Sequence, residues 1–198
     1  TVSQTTEGTT DGDNDVIGGL INLLDQITEG TNKAPQTARD ITAATTQVVS
    51  GSRDEKIEAV INRAMSQLGT PYAWGGGDAN GPTLGIRDGG VADAHGDYNK
   101  YGFDCSGLVL YAFAAAGISL PHYTGYQYQR GTKVSPSDMQ RGDLIFYTTS
   151  GTVTHVAIYL GEDMIVHTDW MGRPARMQHI TAGYGWDRMT PDVVRPLP

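Results

Sequence analysis

The 198 residues hold a single cysteine, Cys105, in the string Asp104-Cys105-Ser106-Gly107-Leu108. A lone cysteine closes no disulfide within its own chain. It is either a small buried hydrophobe or a reactive thiol, and its setting decides between them. An apolar, Ala-rich run follows it and Gly117 closes the run, so residues 106–116 read as a buried helix. A helix start offers unpaired backbone N–H groups and partial positive charge. Both stabilise a thiolate. The same N–H groups suit the oxyanion of a tetrahedral intermediate.

A cysteine nucleophile needs a base. Of the five histidines, His155 lies in Thr154-His155-Val156-Ala157-Ile158-Tyr159 and His167 in Met164-Ile165-Val166-His167-Thr168. Both strings read as strands. With Tyr159 pairing Asp163 across a three-residue turn, His155 stands directly opposite His167 and both point to one face. One imidazole then takes the thiol proton and the other holds it in the required tautomer. Asp169 shares the parity of His167 and is the alternative third member.

Further elements must position this set. Ser52 and Glu55 form a capping box ahead of a helix whose apolar stripe is Ile57, Val60, Ile61, Ala64, Met65 and Leu68; Gly69, Thr70 and Pro71 stop it. A Gly-rich stretch, 75–102, reads as mostly loop, and long loops in compact domains are often functional. Residues 135–140 read as one helical turn. From Asp143 the period changes to two, with strands over 143–147, 155–160 and 164–168 and weaker ones over 175–180 and 193–195. Helices first and an antiparallel sheet after them make the α+β class.

Ahead of residue 52 the chain is different. Residues 1–15 read as a solvated acidic tail. Asp11, Asp13 and Asp15 have calcium-loop spacing, but Val16 and Asn22 stand where Gly and Glu are required. Residues 16–27 read as a short amphipathic helix and 36–50 as a weaker one. The expected boundary falls at 52/53.

The net charge of −8 argues against nucleic acid, whose phosphates call for Lys and Arg. No apolar run approaches the ~20 residues of a membrane helix. No leader is visible at Thr1, and a chain without an initiator Met says nothing thereby about export.

Four strings stand in an order that resembles the NlpC/p60-type peptidoglycan endopeptidases: Tyr72-Ala73-Trp74-Gly75-Gly76, the Cys105 string, Gly142-Asp143-Leu144-Ile145-Phe146-Tyr147, and His155-Val156-Ala157-Ile158-Tyr159-Leu160-Gly161. The likeness runs from about Ser52 to the C-terminus. Residues 77–101 and 120–127 look like the Rip-type members of mycobacteria and corynebacteria. The resemblance implies a papain-like α+β core and a triad on Cys105, His155 and His167. It implies hydrolysis of the bond between γ-D-glutamate and meso-diaminopimelate in stem peptides and action outside the cytoplasm at the cell wall; thiol hydrolysis needs no cofactor, and no metal and a monomer are expected. It gives Tyr72 the role of orienting the nucleophile, with Ser106 beside it at the oxyanion. Polar groups of the stem peptide need partners, for which Asp104, His122, Asp88, Asp93 and Arg87 are candidates.

Other motifs carry less. Arg141-Gly142-Asp143 is a turn feeding a strand rather than an adhesion signal. Asp93, His95 and Asp97 lack the spacing of a zinc site. The competing functions are an amidase cutting between muramic acid and L-Ala, and a wall-binding module without activity. Residues 1–52 have too little apolar content for their own core; they either cover the cleft and restrain activity or serve as a spacer.

Overall fold

The first described helix begins where the capping box predicts. The computed structural model describes residues 48–198. The acidic tail, the helix over 16–27 and nearly all of the helix over 36–50 lie outside the described residues; residues 48–50 carry no helix. Helix α1 spans Arg53–Met65. The Ser52 hydroxyl accepts from Glu55 N–H at 3.2 Å, and the Glu55 carboxylate accepts from Ser52 N–H at 3.0 Å. Such a cap contributes about 1 kcal/mol. Ile57, Val60, Ile61 and Ala64 form the buried stripe.

The Gly-rich stretch is mostly loop, as expected, but holds short pieces. These are β1 (Thr83–Leu84), α2 (Val91–Ala94), a 3-10 turn (Asp97–Asn99) and β2 (Tyr101–Gly102), with β1 and β2 paired antiparallel. Helix α3 spans Cys105–Ala114, with Asp104 as its N-cap. After the short α4 (Thr124–Gln127) come β3 (Thr132–Val134), a 3-10 turn (Pro136–Asp138), β4 (Leu144–Thr149), β5 (Thr152–Gly161), β6 (Met164–His167), β7 (Arg176–His179) and β8 (Val193–Arg195). These last six strands form one antiparallel sheet in the order β3-β8-β4-β5-β6-β7.

The period of two sorts the strands' side chains between two apolar layers. Leu144, Phe146, Val156, Ile158, Val166 and Val194 meet α1 and α3 on one face. Ile145, Tyr147, Ala157, Tyr159, Ile165 and Val193 fill the other, under Ile180. Two ion pairs hold the layers in place. Arg141 forks onto Glu58 of α1 at 2.6 and 3.0 Å. Arg195 of β8 forks onto the fully buried Asp143 at 2.8 and 2.9 Å.

The hairpin that carries the two histidines differs from the expected register. Tyr159 pairs with Ile165 and Ile158 with Val166, so His167 falls opposite Ala157 and diagonal to His155. The turn has two residues, Glu162 and Asp163, both at positive φ (52° and 56°), the backbone of a type I′ hairpin. Shifting the register by two keeps the parity, so both imidazoles still share a face.

Removing one partner of a buried ion pair strands the other charge and costs about 3 kcal/mol or more. Arg195→Met is expected to lower unfolding stability by that amount, read as a lower urea midpoint at unchanged m-value. A loss under about 1 kcal/mol would mean that Asp143 finds solvent or another donor.

Candidate active site

The start of α3 is tied down by one carboxylate. Asp104 Oδ1 accepts from Gly107 N–H at 2.7 Å, from the Ser106 hydroxyl at 3.1 Å and lies 2.7 Å from His122 Nε2; Oδ2 accepts from Gly75 N–H at 3.2 Å. The segment before Gly77 runs beside the one before Cys105. Tyr72 bridges to Phe103, Ala73 N–H donates to the Phe103 carbonyl at 3.1 Å, and Asp104 N–H donates to the Gly76 carbonyl at 3.1 Å. The approach is close enough that a Cβ on Gly76 would stand 2.6 Å from the Gly102 carbonyl oxygen. This is the physical reason for the Tyr-Ala-Trp-Gly-Gly string: it lays Tyr72 beside the nucleophile helix. Tyr72 is buried, and its phenol is held well above the usual range by that burial and by the negative charges available at Cys105 and Asp104. It therefore remains a proton donor.

Cys105 keeps an exposed edge, and its thiol faces the Val156 amide of β5. The expectation that the helix start holds a thiolate is corrected here. Burial, and after it the Asp104 carboxylate, push the thiol up to about 12, against the opposing pull of the Val156 and Ser106 N–H groups. The resting group is a neutral thiol, because loss of hydration and a nearby anion outweigh the helix start.

His155 immediately precedes the peptide that faces the thiol. A β-bulge sets it there: Tyr147 pairs with His155 but Thr148 pairs with Val153, leaving Thr154 as the extra residue. Bulges re-aim neighbouring side chains. His155 Nε2 lies 2.7 Å from His167 Nδ1, and the two residues are only 2% and 1% exposed. Burial, and then the neighbouring His167, hold His155 well below the usual imidazole value. Burial takes His167 down to about 4, although Asp169 opposes it. Both imidazoles are neutral at pH 7, and with Nε2 of His155 committed, Nδ1 is the nitrogen left for a proton.

The Asp169 carboxylate turns to arginines, and His155 bonds to His167 rather than to it. The carboxylate pairs with Arg176 at 2.8 Å and with Arg173 at 3.5 Å. Burial would raise its carboxyl, but Arg176, with His167 behind it, holds it below the usual range. Ser106 turns its hydroxyl to Asp104, so only its backbone N–H remains for an oxyanion. The remaining polar candidates are mutually engaged in a loop. Arg87 pairs with Asp93 at 3.3 Å and stacks on Tyr98, while Asp88 accepts from the N–H groups of Gly90, Ala92 and Asp93. This loop reaches the site through Ala92, which packs with Tyr72 and Met171, and through Ile86, whose N–H donates to the Trp74 carbonyl at 2.8 Å. His122 sits at the helix start, its pKa raised by the Asp104 hydrogen bond. Among the described residues no cluster of His, Cys, Asp or Glu is arranged to hold a metal.

Tyr147 and Tyr184 flank His155 with ring centroids 5.6 and 4.8 Å away. Tyr184 was not foreseen. It lies in a loop without periodicity, and its only local signal is the pair of flanking glycines, Gly183 and Gly185. Gln178 of β7 lies near His167 and was also missed, though the side-chain nitrogen of Gln178 and Nε2 of His167 have no hydrogen-bond partner among the described residues.

Known proteins share this arrangement of chain. The NlpC/P60 family model matches residues 69–194. The peptidoglycan endopeptidase RipA of Mycobacterium tuberculosis is 50% identical over 139 residues, which cover 70% of this chain and 26% of RipA. RipB of the same organism, a peptidoglycan endopeptidase, is 40% identical over 167 residues, covering 83% of this chain and 62% of RipB. A solved structure of RipB superposes with a TM-score of 0.65 at 32% identity, over 94% of this chain and 85% of that one. RipD, also from M. tuberculosis and described as a non-catalytic NlpC/p60 domain protein adapted to peptidoglycan binding, superposes at 0.59 and 37% identity, over 71% of this chain and 96% of that one. The chain thus spans about a quarter of RipA and under two thirds of RipB. Its matched segment holds Cys105, His155 and His167 within a mixed α+β fold of helices on a six-stranded antiparallel sheet, and the chain belongs to the NlpC/P60 family.

Proposed function

We propose that this chain is the hydrolytic domain of a peptidoglycan endopeptidase. It acts outside the cytoplasm and cuts the bond between γ-D-glutamate and meso-diaminopimelate in stem peptides. The observation that carries the reading is the neutral pair His155–His167, hydrogen-bonded at 2.7 Å, beside a thiol at a helix start that faces the backbone of the same strand. A binding module has no use for a buried imidazole pair beside a thiol. The likeness to RipA and RipB supports the substrate class, and the likeness to RipD makes the binding module the alternative outcome of the test.

The chemistry runs from neutral groups. His155 Nδ1 takes the thiol proton as the Cys105 sulfur adds to the γ-carbonyl carbon of D-glutamate. The N–H groups at the start of α3 and the Tyr72 hydroxyl donate to the oxyanion. The resulting imidazolium, stabilised through Nε2 by His167, gives its proton to the diaminopimelate nitrogen as the C–N bond breaks. Water, deprotonated by His155, then adds to the thioester and releases the glutamate carboxylate and the thiol. No cofactor takes part in these steps.

Digestion of diaminopimelate-type muropeptides, read by mass spectrometry, tests the bond and the nucleophile. Release of disaccharide-L-Ala-D-Glu is expected, lost in Cys105→Ala and in His155→Ala. His167→Ala should lower kcat by about 100-fold or more with little change in KM. Free lactyl-disaccharide in place of the dipeptide product would mean an amidase, and an intact substrate with a folded chain would mean the binding module. The same digestions, made on the chain from residue 53, ask whether residues 1–52 restrain turnover; equal rates would make them a spacer.

A second outcome concerns pH. Because His155 is held below the ordinary imidazole value, it stays an unprotonated base as pH falls through 6.5 and is lost only below that. The acid limb of kcat/KM is therefore expected well below pH 6.5. A limb at 6.5 or above would mean that burial does not hold His155 below the ordinary imidazole value in the working enzyme.

A further inference from the structure

Tyr184 has His155 on one side of it and a pocket on the other. The pocket has a volume of about 580 Å³, and Asp169, Trp170, Arg173, Gly183, Tyr184 and Arg188 are among the residues that line it. Gly183 faces the second histidine: a Cβ built there would lie 3.9 Å from His167 Cε1. The pocket and His155 therefore share Tyr184 as a common wall, and neither imidazole lines the pocket itself.

Its charge runs against that of the chain. Two guanidiniums and one carboxylate line it, in a chain of net charge −8. Asp169 is shared between Arg176 at 2.8 Å and Arg173 at 3.5 Å, so Arg173 has only part of a counter-charge and stays largely exposed. Arg188 has no ion-pair partner among the described residues. It is nevertheless held: Nε donates to the Thr148 carbonyl at 3.2 Å, Nη2 donates to the Thr149 hydroxyl, and the guanidinium lies 4.7 Å from the Tyr184 ring centroid. A guanidinium fixed by neutral acceptors and an aromatic face keeps its full charge for a ligand. Trp170, half exposed, gives the pocket an apolar wall. A mostly formed pocket of this size with two convergent cations suits a carboxylate on a short aliphatic arm.

The side of the scissile bond follows from the proton's path. His155 protonates the leaving amine, so the leaving residue lies over His155, and the pocket adjoins that imidazole. Resting on the endopeptidase reading, we propose that Arg173 and Arg188 form a leaving-group subsite that binds the side-chain carboxylate of diaminopimelate. Amidation of that carboxylate removes the charge and weakens binding, so the pocket reads the modification state of the wall.

Calorimetry on the full-length Cys105→Ala chain tests this without turnover. Three ligands are compared: L-Ala-γ-D-Glu-meso-diaminopimelate, its side-chain carboxamide, and its glutamate α-carboxamide. The free acid is expected to bind about ten-fold tighter than the side-chain amide, the scale of a charge-assisted contact. Adding Arg173→Gln or Arg188→Gln should bring that ratio near one, while Arg188→Lys keeps part of it. The effect of glutamate amidation should be unchanged in all three, which also shows that the variants remain folded. Equal binding of free acid and side-chain amide overturns the proposal. So does an arginine substitution that erases the glutamate effect instead, since the pocket would then hold the acyl side. Failure of the wild-type chain to cleave its substrate sinks the endopeptidase reading alone, because the binding ratios do not depend on turnover.

Discussion

Four donors converge on the Asp104 carboxylate, and the rest of the cleft is arranged around that convergence. The carboxylate caps α3, ties down the Gly75 backbone and draws in His122. Without it the helix start, the Tyr72 segment and the 120s loop would have no common anchor. The capping anion has a chemical cost, because it stands one residue before the nucleophile and raises the thiol pKa along with burial. A helix N-terminus alone favours a thiolate. An anionic cap in a dry setting reverses that balance.

A neutral resting thiol shifts the work to the base. The hydrogen bond between His155 and His167 supplies what a thiolate–imidazolium pair otherwise would: a fixed ring, a fixed tautomer and somewhere for positive charge to spread once the proton has moved. Burial on both faces keeps water from competing for either nitrogen. Tyr147 and Tyr184 cover the imidazole faces, and the parity of the sheet puts the pair on the face away from α1 and α3. The thiol meets this pair at the backbone of β5, at the bulge where the strand's regular alternation is broken.

Much of this was legible in the residues. The helix after Cys105, the capping box at Ser52 and the sheet strands announce themselves by period and by end signals. The shared face of His155 and His167 does not follow from the period of two alone: Gly161 pairs with Met164 at the turn but Tyr159 with Ile165, and the irregularity at Leu160 between them restores the common parity. The register does not follow either. Glu162 and Asp163 adopt positive φ although neither is the Asn or Gly that usually marks such a turn, and the bulge at Thr154 leaves no trace in an alternation read from one strand. Ser106, Asp88, Asp93 and Arg87 were plausible ligands by type. Their own loop and cap satisfy them, which no spacing reveals. Tyr184, Arg173 and Arg188 come from loops, where sequence distance says nothing about distance in space.

The placement of Asp169 bears on the proposed role of an imidazole, His167, as the third member. A carboxylate hydrogen-bonded directly to His155 would raise its pKa and draw a proton onto it at rest. Asp169 instead lies beyond His167, and Arg176 takes up much of its charge at 2.8 Å. Its residual pull still opposes the depression of both histidines. The negative charge thus reaches His155 across space, without a hydrogen bond to it, and His167 lies between them. It stabilises the imidazolium that forms during the reaction without creating one beforehand. A weak base suits a thiol that is neutral at rest and must be deprotonated only when substrate is bound. The cationic pocket lies one ring away across Tyr184, and its Arg188 adds to the depression of His155, so the same cation proposed to hold a leaving group also keeps the base neutral at rest.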